Sequence, residues 1–405
     1  MRVDFSLPDI SELEIQAVSD ALRSGWITTG PKTKQFECEI ATWCGTSRAV
    51  SFNSATAALE MCLRALGVGP GDEVITSAYT YTASCSVIYH VGATPVLVDT
   101  APGSYQMDLD ALAEAITSRT KVVIPVDIAG VMCDYGALFD ALKAVKGRFS
   151  PQPGTLQELF DRVIVLADGA HSFGASYQGR PSGSVADFTA FSFHAVKSLT
   201  TAEGGALAWR DRAGLDNEAL YRQFMLLSLH GQNKDALAKT ALGSWEYDIV
   251  APYYKCNMTD VAAALGLAQL ERYPRLLARR RELLERYAAA LISDNIELIE
   301  HYTEQSSSSG HLCLVRLLGK SLAFRNRLIE RMAAREIACN VHYKPLPLHT
   351  AYRERGFDIA RFPHAYDQYA NEVTLPLHTL LSDEALQYVI DAFGQSYGEC
   401  VQSGV

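Results

Sequence analysis

Short, largely apolar runs recur along the chain at 48–52, 72–76, 95–98, 121–126, 163–166, 188–193 and 206–209. Runs of this length, set between polar turns, predict strands buried on both faces. Between them lie stretches with apolar residues at helical spacing. Ser11-Glu12-Leu13-Glu14 has the form of a capping box, and Ile15, Val18 and Leu22 follow it as one helix face that ends at Ser24-Gly25. Further helices are predicted from Ala57 through Leu66 and over 108–116, 134–145, 218–229 and 261 to about 290. Strands alternating with helices predict an α/β fold with a mostly parallel sheet and ligands at the strand ends. A strand at 311–318, a helix at 321–335 and a strand at 339–342 predict a smaller C-terminal α+β unit. The expected division is a large α/β domain over 1–250 and a small domain over 251–405. The Pro- and Gly-rich stretch 147–157 reads as a surface excursion, 304–310 as a polar mobile loop, and the tail from Gln395 as a frayed end.

Composition narrows the function. A chain of 405 residues with 48% hydrophobic content can bury a large core. Its 36 basic and 46 acidic residues give a net charge of -10, a field that repels nucleic acid. A phosphorylated small molecule would need local help from helix N-termini and a few cations. No apolar run approaches the ~18 residues of a membrane span, and no targeting pattern opens the chain, so a soluble, cytoplasmic protein is expected. The nine cysteines are scattered without close pairs, which argues for reduced thiols and against a metal site.

Candidate chemistry gathers at 163–209. The first strand there ends at Asp168, with His171 close behind, and the second delivers Ser192, His194 and Lys197 into a Gly-containing turn. The stretch between the two strands can fold back as a hairpin. A desolvated lysine amine is nucleophilic and forms a Schiff base with an aldehyde. A carboxylate at a strand end suits the job of keeping a pyridine nitrogen protonated. Either residue alone reads as a surface lysine or a turn cap; the pair in this order points to chemistry. Asn53-Ser54-Ala55-Thr56 opens a helix whose free N–H groups suit a phosphate dianion, or serve only as an ordinary cap. Tyr81, at the start of another helix, can stack on a flat ring or fill a core.

ADGAHSFGASYQGR (167–180) and FSFHAVKSLTTAEGGAL (191–207) resemble the signature of the DegT/StrS-type sugar aminotransferases, pyridoxal-phosphate enzymes of fold type I. SGWITTGPK (24–32), NSATAALE (53–60), GDEVITSAYTYTAS (71–84), VGATPVLVD (91–99), YYKCNMTDVAAALGLAQLE (253–271) and NVHYKPL (340–346) follow the family's order over nearly the whole chain. The resemblance implies a large α/β/α domain carrying pyridoxal 5'-phosphate covalently on Lys197, with pyridoxamine phosphate formed in turnover. It implies Asp168 at the ring nitrogen, His171 on the ring-hydroxyl side, Tyr81 over the ring, and Ser192, Ala55 and Thr56 at the phosphate. Asn257 of this pattern reaches the phosphate of the other subunit, which implies a homodimer with shared active sites. Trp26, His342 and Tyr343, with Lys344 beside them, match segments near the substrate. The implied reaction moves an amino group from L-glutamate to a keto carbon, C4 by similarity to the UDP-4-amino-4-deoxy-L-arabinose branch, of a nucleotide-linked keto-deoxy sugar for surface polysaccharide. A 3-keto sugar, a keto-cyclitol, or a non-catalytic pyridoxal-phosphate binder are the alternatives. Some relatives carry histidine in place of the lysine and dehydrate; Lys197 favours transamination. Ala167, Asp127 and Cys256 depart from the usual Glu, His and aromatic residue.

Overall fold

The computed structural model describes residues 1–234 and 246–403. Helices α1 (Glu12–Arg23) and α2 (Pro31–Cys44) precede strand β1 (Ala49–Phe52) and helix α3 (Ala55–Ala65). Alternation follows: β2 (Glu73–Ser77), α4 (Ala83–His90), β3 (Thr94–Val98), α5 (Leu109–Ala115), β4 (Thr120–Ile124), α6 (Tyr135–Ala144) and β5 (Ile164–Asp168). A short hairpin, β6 (Ser176–Tyr177) and β7 (Arg180–Pro181), leads to β8 (Phe188–Ser192), β9 (Gly205–Trp209) and α7 (Asn217–Ser228). The rest is α8 (Asp260–Leu291), β10 (Ile296–Leu298), β11 (Ser306–Ser307), β12 (Cys313–Leu317), α9 (Leu322–Ala334), α10 (Thr350–Arg353), α11 (Pro363–Asn371), β13 (Glu372–Leu375) and α12 (Asp383–Gln402).

The seven strands of the main sheet run β1-β9-β8-β5-β4-β2-β3, and β9 alone is antiparallel to its neighbours. Successive residues of a strand point to opposite faces, and both faces are covered. Ile164 and Leu166 pack with Leu59 and Leu63 of α3, whereas Val165 and Ala167 pack with Leu112 of α5 and Leu138 of α6. Burial on both sides is why these strands read as continuous apolar runs. The result is the α/β/α layering expected of fold type I.

A second sheet, β10-β12-β13, is antiparallel and packs against α9 and α12. The long helix α8 joins the two cores. Its first half places Tyr273 and Leu276 with Phe36 and Ile40 of α2, and its second half places Leu283 and Tyr287 under the small sheet.

Three expectations change. Residues 304–310 are not a mobile loop: Ser306 and Ser307 pair as β11 with β6, and Ser308 and Ser309 are buried. The predicted strand at 339–342 is a single bridge, Asn340 to Thr374, and the edge partner of β12 on that side is β13. The tail does not fray at Gln395, because α12 continues to Gln402 with Ser396 and Cys400 fully buried. The 147–157 stretch lies at the surface as expected and is tied down there, as buried Gln157 donates to the Leu66 carbonyl at 2.9 Å and Lys121 to the Ser150 carbonyl at 2.6 Å.

Candidate active site

Parallel pairing of β5 with β8 brings Asp168 and the Lys197 turn to the same end of the sheet. The turn is closed at its base by hydrogen bonds from Phe193 N to the Gly204 carbonyl (2.9 Å) and from Thr201 N to the Phe193 carbonyl (2.8 Å). Gly205 is required here: a Cβ on it would lie 2.3 Å from the Ser54 carbonyl carbon and 2.4 Å from Ala55 N. The start of β9 thus runs directly under the N-terminus of α3. Ser54 caps that helix by accepting from Ala57 N at 3.1 Å, while the first-turn amides of Ala55 and Thr56 have no intrahelical acceptor.

These elements enclose a cavity of about 420 Å³ whose wall includes Ala55, Thr56, Tyr81, Asp168, Ser192 and Lys197. His171, His342 and Tyr343 line the same space. The structure therefore brings together nine of the eleven residues singled out from sequence. The other two lie outside this wall. Trp26 donates through its ring N–H to the Thr29 carbonyl, and Asn257 donates to the Thr29 hydroxyl while accepting from Lys255.

Charge in the cavity is balanced by burial. Desolvation lowers the Lys197 ammonium to about 8, with the Asp168 carboxylate acting in the opposite sense. Burial raises Asp168, and the Ser84 hydroxyl (2.6 Å), the Ala170 N–H (3.1 Å) and Lys197 act against that rise. Ser84 is itself linked to the Thr80 hydroxyl at 2.8 Å. His171 is driven well below its usual range, first by burial and then by Lys197, and is neutral. Its Nδ1 accepts from Ala129 N (3.2 Å), so Nε2 carries the proton and donates to the Tyr343 hydroxyl (3.1 Å). The His311 ring lies 4.3 Å from that of His171, and the Ser309 hydroxyl donates to the His171 carbonyl. Tyr81 covers the mouth, 60% exposed and tilted against Tyr343 at 5.9 Å.

Several wall and support residues were missed from sequence. Ser84 ends the 71–84 segment, but nothing in the sequence marks its hydroxyl as facing Asp168. His311, Phe5 and Glu372 carried no local signal, because each meets the site from far along the chain.

The set fits pyridoxal phosphate. A lowered amine can bond an aldehyde, Asp168 can pair with a ring N–H, and the open end of α3 can seat a dianion. Residues 8–394 match the DegT/DnrJ/EryC1/StrS aminotransferase family. The chain belongs to that family. It is 38% identical over 392 residues to the spore coat polysaccharide biosynthesis protein SpsC of Bacillus subtilis, covering 96% of this chain and 95% of SpsC. The fold matches Spr1654 of Streptococcus pneumoniae, assigned as a sugar aminotransferase, in its PMP form. That match has a TM-score of 0.96 and 54% identity, and covers 98% of this chain and 100% of that one. Helicobacter pylori PseC, an aminotransferase involved in the biosynthesis of pseudoaminic acid, matches with a TM-score of 0.86 and 26% identity over 98% of this chain and all of PseC. As a DegT/DnrJ/EryC1/StrS member the chain is a pyridoxal-phosphate-dependent sugar aminotransferase. Among the described residues no helix is long and apolar enough to cross a membrane.

Proposed function

We propose that this enzyme moves the amino group of L-glutamate to the C4 ketone of a nucleotide-linked keto-deoxy sugar, in the cytoplasm, for surface polysaccharide. The observation that carries the reading is the pairing of a lowered lysine amine with a buried carboxylate across a cavity with a helix N-terminus in its wall. Bound pyridoxal phosphate supplies an electrophilic aldehyde and an electron-accepting ring.

Lys197 would hold the cofactor through its amine, and the same Nζ would serve as the acid/base that moves the donor's α-proton. With its ammonium lowered to about 8, the amine is neutral often enough near pH 7 to take a proton. Asp168 holds a proton at the ring nitrogen, and the Ser84 hydroxyl and Ala170 N–H keep its carboxylate in the ionised form this requires. Ala55, Thr56 and Ser192 would hold the phosphate, Tyr81 would cover the ring, and neutral His171 would lie on the ring-hydroxyl side. Asn257 serves the neighbouring subunit of a homodimer, which accounts for its place outside this chain's own cavity. His342 and Tyr343, which line the cavity, face the sugar, whereas Trp26 lies outside that wall with its ring N–H on the Thr29 carbonyl. In this reading residues 1–250 form the cofactor domain and 251–405 the small domain.

Support for a sugar acceptor comes from the family and from the polysaccharide and pseudoaminic acid roles carried in the names of SpsC and PseC. The test has two stages. Glutamate added to the loaded enzyme should change its absorbance and release 2-oxoglutarate. A panel of 4-keto and 3-keto nucleotide sugars and keto-cyclitols then follows the return. Preference for a 3-keto sugar or a cyclitol would overturn the C4 assignment, and no response to glutamate would overturn the donor.

A further inference from the structure

His342 is held on every side but one. Its Nδ1 lies 2.9 Å from the Thr374 hydroxyl, which lies 2.6 Å from Oε1 of Glu372, and its own backbone N–H donates to Glu372 Oε2 at 3.0 Å. Thr374 and Glu372 are fully buried at the start of the small-sheet strand β13. The ring face is stacked on Phe5, with centroids 5.5 Å apart and planes 18° apart, and Tyr343 meets it edge-on at 5.0 Å.

Phe5 belongs to an N-terminal strap that is fixed at both ends. Val3 exchanges hydrogen bonds with Glu336 (2.9 Å) and Ala338 (3.0 Å), and Asp9 bonds Arg272 and Thr379 at 2.6 Å each. Between those anchors Phe5 and Ser6 line the same cavity as Lys197. Only Nε2 of His342 is left without a partner among the described residues.

The hydroxyl between Glu372 and His342 transmits a hydrogen-bond sense. When Glu372 is ionised, Thr374 donates to it and accepts from Nδ1–H, leaving Nε2 as a bare acceptor. When Glu372 is protonated, it donates to Thr374, which donates to Nδ1, and Nε2 carries the proton. The two states differ by one proton, which enters at Nε2 and is balanced by transfers from Nδ1 to Thr374 and from Thr374 to Glu372. Resting on the keto-sugar reading above, we propose that Glu372 and Thr374 are positioning residues for the acceptor. With Phe5 fixing the ring plane, they determine whether His342 offers an N–H donor or a bare nitrogen to a hydroxyl of the bound sugar.

Titration supports the arrangement. Burial pushes Glu372 up to about 8, whereas His342 falls to about 4 through burial and the nearby Lys197, so the imidazole stays neutral while the acid titrates. The groups facing Glu372 are Arg325 of α9, which favours its ionised form, and Tyr79, Tyr105, Tyr343, Cys313 and Cys339. Burial raises all five of the latter, and they remain neutral over this range.

The decisive measurement is long-range proton–nitrogen correlation on the cofactor-loaded enzyme labelled with 15N-histidine, with His342 identified by its loss in His342→Gln. The Nε2–H tautomer is expected at pH 6 and the Nδ1–H tautomer well above pH 8. Glu372→Gln should stay Nε2–H throughout, because an amide donates at any pH. Thr374→Val should abolish the pH response, and Thr374→Ser should restore it. A tautomer that ignores pH in the wild type, or one that switches equally in Glu372→Gln, overturns the relay. In steady-state turnover with glutamate and a UDP-linked 4-keto-6-deoxyhexose, Thr374→Val should raise the KM for the sugar about tenfold with little change in kcat, and little change in the glutamate half-reaction followed in single turnover. Equal loss in both halves would mean structural support alone and would overturn the acceptor role. If the wild type responds to glutamate but not to that sugar, the acceptor assignment fails, and with it the acceptor role of the relay, while the tautomer result still decides whether the relay exists.

Discussion

Replacing Ser84 by Ala removes one oxygen from a fully buried position and leaves the backbone of α4 alone. In the native protein that hydroxyl donates to Asp168 Oδ2 at 2.6 Å while linked to Thr80 at 2.8 Å. Burial already raises Asp168, and the Ser84 bond comes first among the contacts that hold it down. A hydrogen bond to a charged group contributes about 1.5–3 kcal/mol. If that energy serves to keep Asp168 ionised beside the ring nitrogen, its loss should slow proton transfer from glutamate by roughly 10- to 150-fold. The assay is stopped-flow absorbance of the loaded enzyme mixed with glutamate, from pH 6 to 9. Because the folded carboxyl is raised, ionisation is lost as pH falls, so the deficit should be largest at pH 6 and shrink towards pH 9. Thr80→Val, which removes only the outer hydroxyl, should do less. A Ser84→Ala rate within twofold of wild type at every pH would refute the claim that this hydroxyl sustains the carboxylate.

Three further outcomes are expected. Lys197→Ala should retain the fold by circular dichroism yet lose both the borohydride-trapped cofactor adduct seen by mass spectrometry and at least about 100-fold of glutamate turnover. With its amine lowered to about 8, apoenzyme should take up pyridoxal phosphate at a rate that climbs with pH below about 8 and flattens above it, since only the unprotonated amine attacks. A free-lysine profile still climbing past pH 9 would contradict the enclosure described here. Gly205→Ala places a methyl group 2.3 Å from the Ser54 backbone and should cost more than about 3 kcal/mol in urea unfolding, or prevent folding.

What could be read from the chain followed from which contacts are local. The parallel strands were legible because both faces of each are buried, so β5 stands out as an apolar run up to Asp168 and β4 and β8 as largely apolar ones. Lys197 and Asp168 were legible because the motifs around them preserve spacing, and the parallel pairing of β5 with β8 brings them to the same end of the sheet. The serine tract at 306–309 was misread because its composition is that of a solvated loop. Its partner strand β6 lies about 130 positions earlier, and Ser308 and Ser309 are buried against His301 and against His171 and Gly130, which are likewise distant in the chain. The same holds for His311 against His171 and for Phe5 against His342, since no window of the sequence contains both rings. The C-terminal tail misled for the opposite reason. Its polar residues occupy one side of α12, and the buried side, with Phe393, Ser396 and Cys400, is too sparse to register as an apolar stripe.

The antiparallel course of β9 has a bearing on how this enzyme could change over time. A parallel return from β8 would need a crossover of a dozen or more residues outside the sheet. Here the twelve residues of 193–204 make instead an antiparallel return, and both ends of that segment, which bears the reactive amine, are tied to the sheet. Insertions there would disturb the hydrogen bonds that close the base of the turn, so new acceptor preferences are expected at the opposite wall, where the N-terminal strap and the small sheet meet.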